Sequence, residues 1–529
     1  MEPPPTTIPE SLTKVEFANL DKILFPQLEI KKSQVIEYDI RTAPKTLVFL
    51  ADRPATIIPQ AASFRTMATL MPIVLDCYIS FLNYMICELS VHNTIKVSFS
   101  APKKISVGSP LTPKRYKGLK CMADTAPLTL TSDVQWVGVN DTETERFEDL
   151  WEIPEGISYN SYLVFGSKKT ALIDSVHERY EAEHLEKIRR LVDPSSIDYI
   201  VLNHMEPDHT GAVPRILELS PDAQVVLTPI ALNLLKHFYH IEPKTVIVKG
   251  DDSNINLGDK ILRFILTPWL HWPETMSTYL KDQKILFSCD AFGSFKRLPD
   301  GLIMEADIEN IYEYMRGGSK KYFAGVFSEK REWVLKALEK FADLGIKPKM
   351  LAPSHGPVYN VNIHEILSLW ASWSRPDYAK KVIVAFGSMY GMTAKLVDAI
   401  IEGIQEAGGK AVVFDLSEKL LIDVLSEMLD APAVMLGSPT YERHMFPKVK
   451  QFLSLLELKK FSDRLVGVFG SYGWSGEATR RVTEQLVSIG FRLVGKPIAV
   501  QGSPLQEDLA KAKALAKTVA QTAFSERGL

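Results

Sequence analysis

Hydrophobic and polar positions follow two successive rhythms along this chain, and neither is established over its first quarter. From Val134 onward, short apolar runs bounded by turn residues recur. Residues 134–139 predict a strand, and 162–165 with 170–174 predict a hairpin turning at Gly166-Ser167. The charged amphipathic run 179–191 predicts a helix, followed by a buried strand over 199–202. Further strands are predicted at 225–228, 245–248, 262–266, 285–288 and 350–352, with helices around 312–315 and 333–344. The polar stretch 372–377 reads as a linker.

The second rhythm starts at Lys381, where strand and helix patterns alternate five times. Its apolar runs are 382–386, 411–414, 433–436, 466–469 and 498–500, with helical periodicity between them. Regular alternation of this kind predicts a doubly wound parallel sheet. The expected division is an extension over 1–126, a first α/β module over 127–375 and a second over 380–525. A chain of 529 residues is also too long for one compact core.

Composition narrows the function classes. With 46% hydrophobic and 24% charged residues and a net charge of −3, the chain gives no electrostatic case for nucleic acid or an anionic membrane. Its four cysteines, Cys77, Cys87, Cys121 and Cys289, form no CxxC pair, which argues against a disulfide scaffold and a fused rubredoxin. No signal peptide is visible, and Pro72, Asp76 and Asn83 interrupt the apolar stretch 67–89, so no membrane span and a cytoplasmic location are expected.

The densest chemistry lies in His204-Met205-Glu206-Pro207-Asp208-His209, directly after an apolar strand and before a helix read as starting at glycine. His271, Asp290 and His355 follow, each just beyond a predicted strand, where open sheets gather their sites. Any one of these histidines alone would read as an ordinary loop residue. Seven imidazole and carboxylate side chains in this context predict a binuclear metal site. His177, His184, His237 and His240 lack a third ligand nearby and read as surface or packing residues. Met205, Trp269, Trp272, Phe292 and Tyr359 neighbour ligand positions and read chiefly as packing, with shaping of the pocket beside the metals as the alternative.

The order HxExDH, H, D, H resembles the flavodiiron proteins, a branch of the metallo-β-lactamase fold. Zinc hydrolases of that fold carry HxHxDH, whereas Glu206 here adds a hard oxygen donor suited to iron. The resemblance implies an αββα sandwich in which His204, Glu206 and His271 hold one iron and Asp208, His209 and His355 the other. Asp290 would bridge the two, and the equivalent of His209 is not a ligand in every relative.

The second module carries three loops after strands. The first, Ser388, Met389, Tyr390, Gly391, Met392 and Thr393, offers hydroxyls and free backbone N–H groups at a helix start, suited to a phosphate. The others contain Ser438, Pro439, Thr440 and Tyr441, then Ser471, Tyr472, Gly473, Trp474 and Gly476. These resemble the FMN loops of flavodoxin-like domains, with Tyr441 and Trp474 as the aromatic contacts. Met392 stands where the family more often has Asn or Ser.

Both resemblances together cover about three quarters of the chain, roughly residues 128–525. They imply reduction of dioxygen to water or nitric oxide to nitrous oxide, with electrons passing through FMN to a di-iron centre. They imply an external donor (rubredoxin, a flavin reductase or a reduced deazaflavin coenzyme) and a head-to-tail homodimer or homotetramer. A zinc hydrolase with an accessory flavodoxin and a metal-free FMN carrier are the rival readings. Residues 12–56, including Asn19 to Pro26 and Asp52-Arg53-Pro54, resemble the start of the polymerase domain of prokaryotic end-joining DNA ligases. No counterpart of that domain's metal-binding aspartates follows, so no polymerase activity is expected.

Overall fold

A computed structural model describes residues 23–25, 30–31, 126–375 and 377–529. Met1–Lys114 form a unit of their own, of which only the antiparallel strands Ile23–Phe25 and Ile30–Lys31 are described. The polymerase-like resemblance, three of the four cysteines and the apolar stretch 67–89 otherwise lie outside the described residues. No helix among the described residues is long and apolar enough to cross a membrane.

The first module is two sheets packed face to face. One has seven strands: Leu128–Thr131 (β1), Val134–Trp136 (β2), Tyr162–Phe165 (β3), Thr170–Ile173 (β4), Tyr199–Val201 (β5), Gln224–Leu227 (β6) and Thr245–Ile247 (β7). They lie in the order β7-β6-β5-β4-β3-β2-β1. The other sheet runs in sequence order through Asn254–Asn256 (β8), Ile261–Leu266 (β9), Met276–Leu280 (β10), Ile285–Cys289 (β11) and Met350–Pro353 (β12). Alternate side chains of both sheets fill the space between them, including Tyr162, Val164, Val201 and Val226 from one and Leu262, Phe264, Met276 and Phe287 from the other. The Tyr162 and Phe287 rings meet with centroids 5.0 Å apart.

Helices cover the outer faces, among them Glu181–Leu191 (α1), Arg331–Asp343 (α3) and Ile363–Ser374 (α4); the short helix Pro207–Thr210 (α2) carries part of the candidate site. The module is the expected αββα sandwich.

Three local readings differ from the sequence-based expectation, each for a physical reason. The strand expected over 134–139 breaks at Gly138, where a Cβ would stand 2.3 Å from the Tyr159 carbonyl oxygen. Val139–Asp141 then pairs separately with Ile157–Tyr159. Strand β10 carries Ser277 and Thr278 at buried positions, which hides its apolar pattern. Thr278 is satisfied there by Asn203 Oδ1 at 2.7 Å. The first half of the expected linker, 372–374, is the end of α4, where Trp373 is buried and Ser374 returns its hydroxyl to the Trp370 carbonyl at 2.8 Å. In addition, the helix expected near 312–315 continues through π-helical turns at Met315–Ser319 and Phe323–Phe327.

The second module is a parallel sheet of Lys381–Phe386 (β13), Lys410–Asp415 (β14), Ala433–Gly437 (β15), Leu465–Tyr472 (β16) and Ile498–Gln501 (β17), with the short Arg492–Leu493 also pairing to β16. The order is β14-β13-β15-β16, with β17 beside β16. Each of the five predicted strands is present. Helices Val397–Glu406 (α5), Leu421–Met428 (α6), Pro447–Leu458 (α7), Glu477–Ser488 (α8) and Gln506–Arg527 (α9) flank it.

The two modules share one hydrophobic core. Phe323 and Phe327 of the first join Ile422, Val424 and Leu425 of the second in it. Around this seam, Lys320 lies 3.0 Å from Asp430, Lys381 2.6 Å from Asp430, and Lys321 2.7 Å from Asp423.

Candidate metal centre and flavin cradle

The metal site forms where strand ends of both sheets converge. Strand β5 delivers His204 and Glu206, and Pro207 starts α2, so Asp208 and His209 sit in its first turn. The helix read as starting at glycine therefore begins inside the motif itself. His271 follows β9, Asp290 follows β11, and His355 follows β12. Cys289 adopts a left-handed backbone with φ of 53°, and Phe292 does so with φ of 70°, so the chain turns sharply on both sides of Asp290.

All seven predicted ligand residues come together in this pocket. Donor atoms of His204, Glu206, His271 and Asp290 lie within 4.8 Å of one another, as do those of Asp208, His209 and His355. Asp290 is central, with Oδ1 at 2.9 Å from His209 Nε2 and 3.2 Å from His355 Nε2, and Oδ2 at 3.4 Å from His204 Nε2 and 3.5 Å from His271 Nε2. Glu206 Oε2 lies 2.9 Å from His271 Nε2.

Electrostatics interlocks the group. Burial opposes charge on each imidazole, yet hydrogen bonds to Glu206 and Glu274 hold His204 at about 10. Against the same burial, Asp208 and Asp290 hold His355 at about 10 and His209 at about 9, and Asp290 with Glu206 holds His271 at about 9. Burial raises the Asp290 and Glu206 carboxyls, but the facing imidazoles outweigh it and keep both far below the usual carboxylate range.

Several buried donor atoms have no hydrogen-bond partner: both oxygens of Asp208, Asp290 Oδ2 and His355 Nε2. Buried polar atoms are ordinarily satisfied, and these belong to residues whose donor atoms cluster within 4.8 Å of one another. Mixed imidazole and carboxylate donors with orphaned oxygens fit a pair of hard-to-borderline cations such as iron.

Side chains not singled out from the sequence complete the surroundings. Glu274 Oε1 accepts from His204 Nδ1 at 2.7 Å, and Tyr322 donates to Asp290 Oδ1 at 3.0 Å. Glu274 stands only three residues beyond His271, which was its one available signal; Tyr322 lies on the short α-helical turn between the two π-helical ones and has none. Trp272 places its ring 5.0 Å from His204 and belongs to the pocket wall. Phe292 packs on Trp370 at 5.0 Å, and Tyr359 and Met205 are fully buried. Trp269 is a partly exposed ring beside Trp333. His184 is buried and His237 and His240 are exposed, as expected of packing and surface residues.

The flavin loops gather at the carboxyl ends of β13, β15 and β16. Thr393 Oγ1 and Ser471 Oγ lie 2.8 Å apart and tie the first loop to the third. Ser438 spends its hydroxyl inside its own loop, accepting from Phe446 N at 2.9 Å, and Thr440 accepts from Ala478 N at 3.3 Å. Ser388 Oγ and Ser475 Oγ are buried without a partner. Added Cβ atoms at Gly391 and Gly473 would meet nothing within 4 Å, so open space lies over both turns. Around that space Tyr390 is 84% exposed, Trp474 76% and Tyr441 44%. A cradle of unpaired hydroxyls bordered by bare aromatic rings fits a phosphorylated flavin. Ser475 was not among the residues expected to contact it.

Comparison with known proteins agrees with both halves. Residues 157–356 match the family model described as ODP family beta lactamase, and residues 384–514 match the flavodoxin model. A nitric oxide reductase of Moorella thermoacetica is 33% identical over 405 residues, covering 74% of this chain and 98% of that protein. The chain belongs to the flavodiiron protein family.

Other flavodiiron relatives extend the likeness. The rubredoxin-oxygen oxidoreductase of Megalodesulfovibrio gigas is 28% identical, with 73% of this chain and 95% of that protein covered. The solved flavodiiron protein of Giardia intestinalis has a TM-score of 0.72 at 26% identity, over 78% of this chain and 98% of that one. This flavodiiron chain thus combines an FMN-type flavodoxin module with a di-iron-type sandwich.

Proposed function

We propose that this protein reduces dioxygen to water or nitric oxide to nitrous oxide, with electrons entering from an external donor. The observation that carries the reading is the complete histidine–carboxylate pocket joined, in one chain, to a flavin cradle. Its relatives include a nitric oxide reductase and a rubredoxin-oxygen oxidoreductase, which supports both gases as substrates. In this reading His204, Glu206 and His271 would hold one iron, Asp208, His209 and His355 the other, and Asp290 would serve both. The Ser388–Thr393 loop holds the FMN phosphate, while Tyr441 and Trp474 border its ring. FMN and iron, when bound, supply the electron-transfer and gas-binding chemistry.

The chain's own residues prepare that chemistry. Rings of Phe147, Tyr159, Trp272, Tyr322 and Phe327 lie around His355, His204 and His271 with centroids 5.0 to 5.8 Å away. They make an apolar wall that suits a small uncharged gas and limits water. Burial and the nearby Asp290 carboxylate push the Tyr322 hydroxyl far above its usual range, so it stays protonated and donates to Asp290.

The reading extends to a cytoplasmic protein whose activity resides in residues 127–375 and 380–525, working as a head-to-tail homodimer or homotetramer. The exposed rings of Tyr390, Tyr441 and Trp474 support a second copy or a donor covering the flavin edge. The donor is a rubredoxin, a flavin reductase or a reduced deazaflavin coenzyme.

The test is anaerobic metal and flavin analysis, followed by mixing the pre-reduced protein with each gas. Two irons and one FMN per chain, with rapid flavin reoxidation by one gas, is the expected result. Bound zinc with ester or phosphodiester hydrolysis, or reoxidation independent of metal, would overturn it. Removing residues 1–125 is expected to leave iron and FMN content unchanged.

A further inference from the structure

The outer partners of the pocket's histidines are unequal. His204 Nδ1 faces the Glu274 carboxylate at 2.7 Å, and both side chains have no exposed surface. Glu274 Oε1 also accepts from Met205 N at 3.1 Å, while its Oε2 is buried with no partner. The Thr228 hydroxyl holds the Glu274 backbone carbonyl at 3.1 Å, and Thr275 packs its hydroxyl 3.5 Å from His204 Nδ1. The carboxylate is therefore fixed against one imidazole, and the other groups that bond it are the backbone amides of Met205 and of Glu274 itself.

In the other half, His355 Nδ1 donates instead to the neutral carbonyl of Ser158 at 2.7 Å. His209 Nδ1 is buried with no hydrogen-bond partner. One half of the pocket thus has a carboxylate behind a histidine, and the other has a carbonyl and nothing.

A carboxylate behind a ligating histidine fixes its tautomer, turns Nε2 to the metal and raises its donor strength. A stronger donor favours the higher oxidation state and lowers the reduction potential of the metal it binds. We propose that Glu274 is a positioning residue that makes the two metal positions electronically unequal, so that the half held by His204, Glu206 and His271 is oxidised first. The proposal rests on the di-iron reading above and deepens it. Each of the two oxidations removes one electron from one iron, and in the test below that electron passes to a redox mediator.

The experiment is an anaerobic potentiometric titration of the full-length holoprotein, following the electron paramagnetic resonance signal of the half-oxidised iron pair. The wild type is expected to show that signal over a broad interval, because the two one-electron steps are well separated. Glu274→Gln keeps the size and an accepting oxygen but removes the charge. It is expected to move the lower step upward and narrow the interval, with two irons and one FMN retained. Glu274→Asp, which retains the charge, is expected to keep most of the wild-type separation.

An unchanged interval in a fully loaded Glu274→Gln protein overturns the proposal. Loss of either iron from Glu274→Gln with FMN retained also overturns it, because the residue then decides metal retention and not the potential of a bound metal. A wild type that lacks two irons fails the di-iron reading itself, and metal analysis reveals this before any variant is compared.

Discussion

Tyr322 donates its hydroxyl hydrogen to Asp290 Oδ1 across 3.0 Å, and the same oxygen faces His209 Nε2 at 2.9 Å. One carboxylate oxygen is thus steered by a phenol from the α-helical turn Lys320–Tyr322 and an imidazole from the HxExDH motif. Tyr322→Phe removes the donor and leaves the ring. A hydrogen bond to a charged group contributes about 1.5–3 kcal/mol, so the variant is expected to lose stability of that order while retaining its iron. Chemical denaturation paired with iron analysis checks this.

His355 has no exposed surface and meets both Asp208 and Asp290. His355→Ala is expected to reduce bound iron from two to at most one per chain, with FMN unchanged because the flavin cradle belongs to the other module. Metal analysis beside the flavin absorbance decides it. Equal loss of FMN would show that the two sites are coupled through the shared core.

At the flavin cradle, Thr393→Val breaks the buried 2.8 Å contact with Ser471 and leaves that hydroxyl unpaired. Losing such a partner costs about 1–3 kcal/mol, which corresponds to roughly a 5- to 150-fold weaker FMN affinity if the loop must be ordered for binding. Trp474→Ala is expected to weaken FMN as well. Fluorescence titration of the apoprotein with FMN measures both, and riboflavin separates phosphate effects from ring effects.

His184 supplies a pH dependence. Burial lowers its pKa from 6.5 to about 4, outweighing the hydrogen bond from Nδ1 to the Val137 carbonyl at 2.9 Å. The unfolded chain takes up the proton near 6.5, and the folded chain only near 4. The stability contributed by the neutral, buried ring is therefore complete above 6.5 and is lost as pH falls toward 4. At about 1.4 kcal/mol per unit the loss is on the order of 3 kcal/mol. His184→Gln is expected to flatten that part of the stability–pH profile, measured by denaturation at several pH values.

Much of the site was legible because its chemistry is concentrated in sequence. The HxExDH motif packs four donors into six residues, and His271, Asp290 and His355 each follow a strand that apolar patterning identifies. The flavodoxin half was similarly clear, since β13, β15 and β16 carry the long apolar buried runs 382–386, 433–437 and 465–470. What escaped depended on contacts distant in sequence. Glu274 acquires its role only when β10 brings it to His204, seventy residues away. Strand β10 was itself obscured by hydroxyls whose partners lie on other elements. The end of α4 looked like a linker because a serine that bonds back to the helix, as Ser374 does, resembles a serine that bonds to water.

Because Phe323 and Phe327 share a core with Ile422 and Leu425, the flavin module is not a passenger on a tether. A Cβ at Gly325 would stand 3.1 Å from Ile422 Cδ1 and 3.2 Å from the Trp151 ring, so the seam is tightly packed around this notch. Replacing this module with a flavodoxin from another protein would leave that notch facing an ill-fitting surface. A functional chimera must therefore inherit α6 together with the π-helical run, and the natural unit of exchange is larger than either module.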